Sequence, residues 1–380
     1  MSQQIGPLLM AFEYTEEREA LRSTVRRFLE DRSPESEVRR LMDTHHGYDP
    51  AVWDQMARQL GLQSLAIPEA YGGSGFGYRE LAVVLEEMGR ALLCAPFFSS
   101  VVLAVGVLLS CDDDEAKAQY LPGIADGTTV ATLAFAEHSG RWDCSGVSTV
   151  ATMSDGQWKI SGEKSFVLDG TIASLQLVVA RTDHGISLFA VDPNAGGVQA
   201  APLSTLDQTR KQARVSFQET PARLVGSEGR AWQVISKALD LAAVGLAAEQ
   251  IGGAQRALDM AVAYAKTRVQ FGRPIGSFQA VKHRCANLFV EVESARTAAY
   301  YAAEVADADA ADLPIAASMA KAYCSEAFTH VAADTIQIHG GIGFTWDHPA
   351  HLYFKRAKSS ELLFGDGTHH RAILADRLGI

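Results

Sequence analysis

Apolar positions along the chain follow a helical period up to about residue 130, an alternating one to about residue 217, and a helical one again after Gly229. At the start, Thr15-Glu16-Glu17 places a hydroxyl cap before acids of a first turn, and Leu21, Val25, Phe28 and Leu29 form the apolar face that follows. Further helices are expected over about 50–61, from Tyr78 to Arg90, and on to about 125. Gly72-Gly-Ser-Gly75 reads as a connecting loop, because it lacks the GK[ST] ending of a phosphate loop and follows no clear strand. From about residue 130, Val130–Phe135, Trp158–Ser161, Ser165–Leu168, Leu175–Val179, Ile186–Val191 and Ala213–Phe217 read as short strands. The pairs Asp155-Gly156, Ser161-Gly162, Asp169-Gly170, His184-Gly185 and Gly196-Gly197 supply the turns. This is an all-β domain of about 100 residues between two helical halves.

The second helical half opens with an Ala/Gly-rich run over 236–267, where Gly245, Gly252 and Gly253 allow close helix approach inside a bundle. Phe278, Val281, Cys285, Leu288, Val292, Ala295 and Ala299 then form one apolar helix face, and another helix is expected over about 314–338. Asp307-Ala-Asp-Ala-Ala-Asp312 reads as a solvated acidic loop.

A length of 380 residues implies two or three domains, and 47% hydrophobic with 21% charged residues is a soluble globular composition. The net charge of −11 argues against nucleic acid or an anionic membrane as partner. Five cysteines without a C-x-x-C pair indicate neither a disulfide frame nor a zinc site, and the paired histidines His45-His46, His348/His351 and His369-His370 have poor metal spacing, so no metal is expected. Met1–Gly6 lacks a signal peptide's cationic start and apolar run, and Val101–Leu109 is too short to span a bilayer. A reducing, cytoplasmic setting is expected.

Chemistry concentrates at the corner Arg268-Val-Gln-Phe-Gly-Arg-Pro-Ile-Gly-Ser-Phe-Gln279. An Arg held between two helices suits a planar, doubly charged group such as a pyrophosphate, and equally suits a neighbouring carboxylate. Gly340-Gly341 at a helix end, and Gly365-Asp366-Gly367, are locally a helix stop and a turn.

The order of these stretches resembles the acyl-CoA dehydrogenase superfamily over nearly the whole chain. R-x-x-F-G-x-P-I-x-x-F-Q is similar to its flavin-pyrophosphate motif, carried here by Arg268, Phe271 and Gln279. Gln337-Ile-His-Gly-Gly-Ile-Gly is similar to the segment on the flavin's adenosine-diphosphate half, which implies Gln337, Gly340 and Gly341 as further FAD contacts. Trp158–Gly170 looks like the hairpin along the isoalloxazine, so Phe166, Val167 and Leu168 fall at the ring. Leu168 departs from the usual Thr or Ser. Phe135-Ala-Glu-His-Ser-Gly-Arg-Trp-Asp143 falls where the family has T-E-P-x-x-G-S-D. The resemblance puts Phe135 and Ala136 by the ring and Glu137 and Trp142 toward substrate, with Ala136 and Trp142 replacing a Thr and a Ser. Asp240 matches a family Asp, but Ala243 stands where an Arg is usual. Phe364-Gly-Asp-Gly-Thr368 aligns with Y-E-G-T, which implies Asp366 as the base, Gly367 beside substrate and Thr368 beside the cofactor.

What this resemblance implies is an α+β protein of the acyl-CoA dehydrogenase fold: an N-terminal helical domain over 1–129, a small β-barrel or sheet domain over 130–232, and a C-terminal four-helix bundle over 233–380. It implies α,β-desaturation of an acyl-CoA with FAD as hydride acceptor, and an electron-transfer flavoprotein as onward acceptor. The cofactor would be gripped across a subunit contact, in a homotetramer or an α2β2 heterotetramer. The loss of ring-side hydroxyls also fits a cofactor-presenting subunit of a heteromeric, possibly steroid-CoA, dehydrogenase. Asp at the base position is shared with the family's nitroalkane oxidases.

Overall fold

Residues 15–380 are described by a computed structural model; Met1–Gly6, on which the signal-peptide expectation rests, lie outside them. The helices are α1 (Glu16–Arg32), α2 (Glu35–Met42), α3 (Pro50–Arg58), α4 (Tyr78–Arg90), α5 (Val105–Ser110), α6 (Asp114–Ala125), α7 (Ala231–Thr267), α8 (Gln279–Asp307), α9 (Leu313–His339), α10 (Ala350–Leu362) and α11 (Gly367–Leu378). A π-helical segment, Phe98–Ala104, runs directly into α5. The chain divides into two compact units: residues up to Val38 with Gly77–Leu93 and Ala243–Ile380, and Arg39–Phe76 with Cys94–Ala242.

In the first unit, Thr15 caps α1 by accepting from the Arg18 amide at 3.2 Å. The glycines of α7 act where helices touch. A Cβ on Gly252 would stand 1.8 Å from the Glu86 carbonyl of α4, and one on Gly253 would stand 2.4 Å from the Phe328 ring of α9. No side chain fits at either contact, so α7 lies against α4 backbone to backbone. Gly252→Ala is expected to destabilise the protein by about 3 kcal/mol, since the obstruction is main chain and cannot rotate away. Thermal unfolding would show it as a lowered midpoint with no loss of helix content before the transition.

Around that contact Arg22 of α1 donates to Glu86 (2.8 Å) and Glu87 (3.0 Å), and Tyr300 and Arg296 of α8 also bind Glu86. Burial alone would raise the Glu86 pKa; Arg296 and Arg22 outweigh it and hold the carboxyl below its ordinary range. Of the apolar stripe expected on α8, Leu288, Val292, Ala295 and Ala299 are buried, while Phe278, Val281 and Cys285 of its first turns are half-buried; Phe289 and Val290, off the stripe, are exposed.

The second unit is built around a sheet of seven strands: β1 (Ala131–Ala134), β2 (Val150–Ser154), β3 (Gln157–Leu168), β4 (Leu175–Thr182), β5 (Gly185–Val191), β6 (Val198–Pro202) and β7 (Gln212–Val225). β4 pairs with β5 and, at Val150–Arg181, with β2; through β3 and β7 the ring returns to β5, so the sheet closes on itself. Ile160, Val167, Val178, Phe189, Val215 and Phe217 fill its interior.

Ser161-Gly162, expected as a turn, lies inside β3. Gly162 adopts φ 147° at a register shift against β7, because a Cβ there would meet Thr149 within 3 Å. The pair is a bulge within one long strand. The Gly72–Gly75 loop folds back on its own approach, with Ser74 donating to the Ser64 carbonyl and Gly75 to that of Ile67. Its amides are thereby used, as a connecting loop requires. Among the described residues, no helix is long and apolar enough to cross a membrane.

Candidate functional site

The corner after α7 is a two-stranded hairpin, Val269–Gln270 (β8) against Arg273–Pro274 (β9). Phe271 (φ 53°) and Gly272 (φ 77°) occupy its tip, the paired left-handed residues of a type I′ turn. Phe271 is 91% exposed despite its size. Arg273 lies over the Phe278 ring at 4.1 Å, which stiffens the turn. Arg268 itself is exposed, and its guanidinium has no hydrogen-bond or ion-pair partner among the described residues. No carboxylate among the described residues takes up the alternative raised by the sequence.

Two rings join this corner to the glycine bend at the end of α9. Tyr264, whose carbonyl accepts from the Arg268 amide at 2.8 Å, stacks on His339 at 4.5 Å between ring centroids. His348 covers His339's ring at 4.1 Å. His339 immediately precedes Gly340, so the cation at 268 and the bend at 340–341 belong to one local assembly. Gln279 and Gln337 are exposed beside the corner and on the last turn of α9. At Gly340 (φ 66°) and Gly341 an added Cβ would meet nothing within 4 Å, so the bend borders open space, while the Gly340 amide closes α9 on the Gln337 and Ile336 carbonyls. The Arg268 guanidinium and the Gln279 and Gln337 side-chain amides, none with a hydrogen-bond partner among the described residues, form a donor set suited to phosphate oxygens beside an open glycine bend.

In the same unit, Asp366 caps α11. Its Oδ1 accepts from the His369 amide at 2.8 Å, and Oδ2 has no hydrogen-bond partner among the described residues. The carboxylate is half-buried, Gly367 is buried and Thr368 is exposed. The preceding residues Phe364 and Gly365 both hold positive φ, 63° and 101°. A half-buried carboxylate on a strained loop with one free oxygen is a competent proton acceptor.

The second unit carries the other sequence candidates. Lys164, wholly buried in β3, donates to Glu137 at 2.7 Å and to the Phe135 carbonyl at 3.1 Å. Glu137 also accepts from the Thr149 and Ser148 amides, each at 2.9 Å. Burial would raise the Glu137 carboxyl, but Lys164 and these hydrogen bonds hold it at about 2. The family resemblance puts Glu137 toward substrate; its carboxylate instead faces inward and fixes the 135–137 loop. Sequence reading misses Lys164, although it stands in the inward phase of β3 with Ile160.

Phe135, Ala136, Val167 and Leu168 are buried, while the bulge between Lys164 and Val167 turns Phe166 outward at φ 58° and 44% exposure. The Thr132 hydroxyl donates to the Leu168 carbonyl at 2.6 Å. Trp142 lies 6.3 Å from the Phe135 ring, which lies 5.9 Å from Trp232 on the first turn of α7. Asp240, further along α7, is buried.

Comparison with protein families decides what this assembly belongs to. The acyl-CoA dehydrogenase N-terminal, middle and C-terminal domain models match residues 15–128, 132–220 and 229–379. The chain belongs to the acyl-CoA dehydrogenase family. It is an oxidoreductase that acts on acyl-CoA. The acyl-CoA dehydrogenase IpdE2 of Mycobacterium tuberculosis is 37% identical, over 92% of this chain and 93% of that one. Among solved structures, the Tcur3481-Tcur3483 steroid ACAD is 31% identical with a TM-score of 0.87, covering 96% and 98% of the two chains. A chain of the ChsE4-ChsE5 complex from Mycobacterium tuberculosis is 30% identical with a TM-score of 0.88, covering 96% and 98%. The α+β architecture expected of an acyl-CoA dehydrogenase is thus the one found.

Proposed function

We propose that this acyl-CoA dehydrogenase binds FAD and uses Asp366 to take the α-proton of a CoA thioester. The observation that carries the cofactor assignment is the unpaired Arg268 guanidinium, joined through Tyr264 and His339 to the open Gly340–Gly341 bend. Arg268, with Gln279 and Gln337, supplies donors for the pyrophosphate, the side-chain-free Gly340–Gly341 bend leaves room for the adenosine-diphosphate half, and Phe271 covers it. Main-chain groups of Phe135, Ala136, Val167 and Leu168, the outward ring of Phe166, and Thr368 serve the ring end. Backbone donors there do not need the hydroxyls missing at 136 and 168. When bound, FAD supplies the acceptor for the β-hydride.

Asp366 acts through Oδ2, since Oδ1 is held by the α11 cap. Trp142, Asp240 and Gly367 border the substrate, and Glu137 acts indirectly by setting the 135–137 loop. The exposed Phe271, Phe289, Val290 and Phe344 support an oligomer in which this phosphate grip faces another subunit. An electron-transfer flavoprotein is the onward acceptor and the cytoplasm the compartment.

Arg268→Leu tests the cofactor assignment. It removes a charge-assisted donor pair, so FAD affinity is expected to fall about 10- to 100-fold by equilibrium titration, with unfolding unchanged. Unaltered affinity would remove Arg268 from the site.

A second reading has its own support. Two of the similar structures are named for two chains each, and Trp142 replaces the small residue expected in the thioester tunnel. In that reading the chain presents cofactor to a homologous subunit. Protein that binds FAD only after co-expression with such a subunit would establish it.

A further inference from the structure

Lys321 sits in the middle of α9 and is fully buried. A buried ammonium persists only where acceptors replace its water. Its acceptors include Ser325 Oγ at 2.9 Å, the Glu361 carbonyl at 3.1 Å and the Gly365 carbonyl at 3.0 Å. The Glu361 carbonyl belongs to the last turn of α10, where carbonyls lack intrahelical partners and a cation is favoured. The Gly365 carbonyl lies one peptide before Asp366. Ser325 in turn exchanges hydrogen bonds with Gln250 of α7, at 3.0 Å from the amide nitrogen. The ammonium therefore ties α7, α9 and the end of α10 to the loop that bears the proposed base.

A second buried side chain holds the adjacent peptide. His370 Nε2 is 3.1 Å from the Phe364 carbonyl. Burial, reinforced by the charge of Lys321, keeps this ring neutral, with its pKa pulled down to about 3. Its one N–H is thus directed at Phe364. Two successive carbonyls, 364 and 365, are drawn inward by two buried donors. Their residues are the two that hold positive φ, and Phe364 carries a side chain in a region that disfavours one. Strain of this kind lasts only where the surroundings impose it. Lys321 and His370 belong to those surroundings.

We propose that Lys321 is a positioning residue for the dehydrogenation, and that with His370 it clamps the Phe364–Gly367 loop in the bent form that presents Asp366. The proposal rests on the assignment of Asp366 as base. Lys321 reaches carbonyls of the loop, so it acts through the loop and not on substrate.

The test uses the FAD-loaded enzyme and an acyl-CoA ester that the wild type turns over. Lys321→Met is expected to lower kcat about 10- to 100-fold, the scale of an ångström-level misplacement of a reacting group. KM and FAD content should stay within about threefold of the wild type. The α-deuterium isotope effect on kcat should rise, because proton removal becomes the slow step. His370→Leu should act the same way more weakly, and His370→Gln should restore most of the rate, since its amide can still donate to the Phe364 carbonyl. If Lys321→Met does not fold, the two His370 variants alone decide between clamp and no clamp.

Wild-type kcat in Lys321→Met or in His370→Leu overturns the clamp. So does a rate loss that follows lost FAD or raised KM, or a His370→Gln variant no better than His370→Leu. Asp366→Asn is read separately. Full activity there removes the base assignment, whereas an inactive Asp366→Asn beside a fully active Lys321→Met removes only the clamp.

Discussion

Asp366→Asn lowers kcat by about 10³-fold or more while leaving bound FAD and unfolding unchanged. An amide keeps the oxygen that caps α11 through the His369 amide, so the loop retains its shape. It cannot accept a proton at the second position. General-base removal is worth about 10² to 10⁴ in rate, and the α-proton of a thioester is a weak acid, which favours the upper part of that range. Steady-state turnover across a panel of CoA esters, beside a flavin absorbance spectrum of the same sample, measures both halves of the expectation. Turnover within tenfold of the wild type would remove Asp366 as the base.

The second large effect is on stability. Lys164→Met leaves the Glu137 carboxylate buried with only neutral donors, and such one-sided removal costs about 3–5 kcal/mol. Chemical denaturation should show the midpoint falling at constant slope. Adding Glu137→Gln should recover part of the loss, because the stranded charge disappears with it, and that non-additivity reports the pair directly. A loss below about 1 kcal/mol would mean that the 135–137 loop is fixed by something other than this ion pair.

Much of this is readable from residues alone where local chemistry and tertiary structure agree. Thr15 before two acids opens α1, and the helix expected at Tyr78–Arg90 is α4. The glycines at 252 and 253 mark close helix contacts, as small residues should. Each of these signals is short-range and survives whatever the rest of the chain does.

The misses have physical causes. Ser161-Gly162 has turn chemistry, yet a bulge needs the same backbone freedom, and only pairing with β7 tells the two apart. β6 is mostly exposed and lacks the apolar alternation that marks a strand. The first turns of α8 have the apolar spacing of a buried face but little to bury it against within one chain.

The site is legible as motifs and illegible as supports. Arg268, Gly340 and Asp366 are conspicuous because glycine and proline punctuate the chain around them. Lys164 and Lys321 look like surface lysines by composition. Their phase gives them away: Lys321 shares a face with Ala317, Cys324 and Phe328, all buried, as Lys164 does with Ile160. A lysine in the apolar phase of an element should be read as a buried tether before it is read as solvent-facing. Glu137 reads as a substrate neighbour because its partner lies 27 residues away, a distance no local pattern spans.

Anaerobic mixing of the purified chain, loaded with FAD, with a panel of CoA esters tests the central claim most directly. The expected result is FAD held by the chain expressed without any second subunit, and bleaching of the flavin band by at least one ester. A chain that stays colourless in excess FAD, or a bound flavin that no ester bleaches, would contradict it.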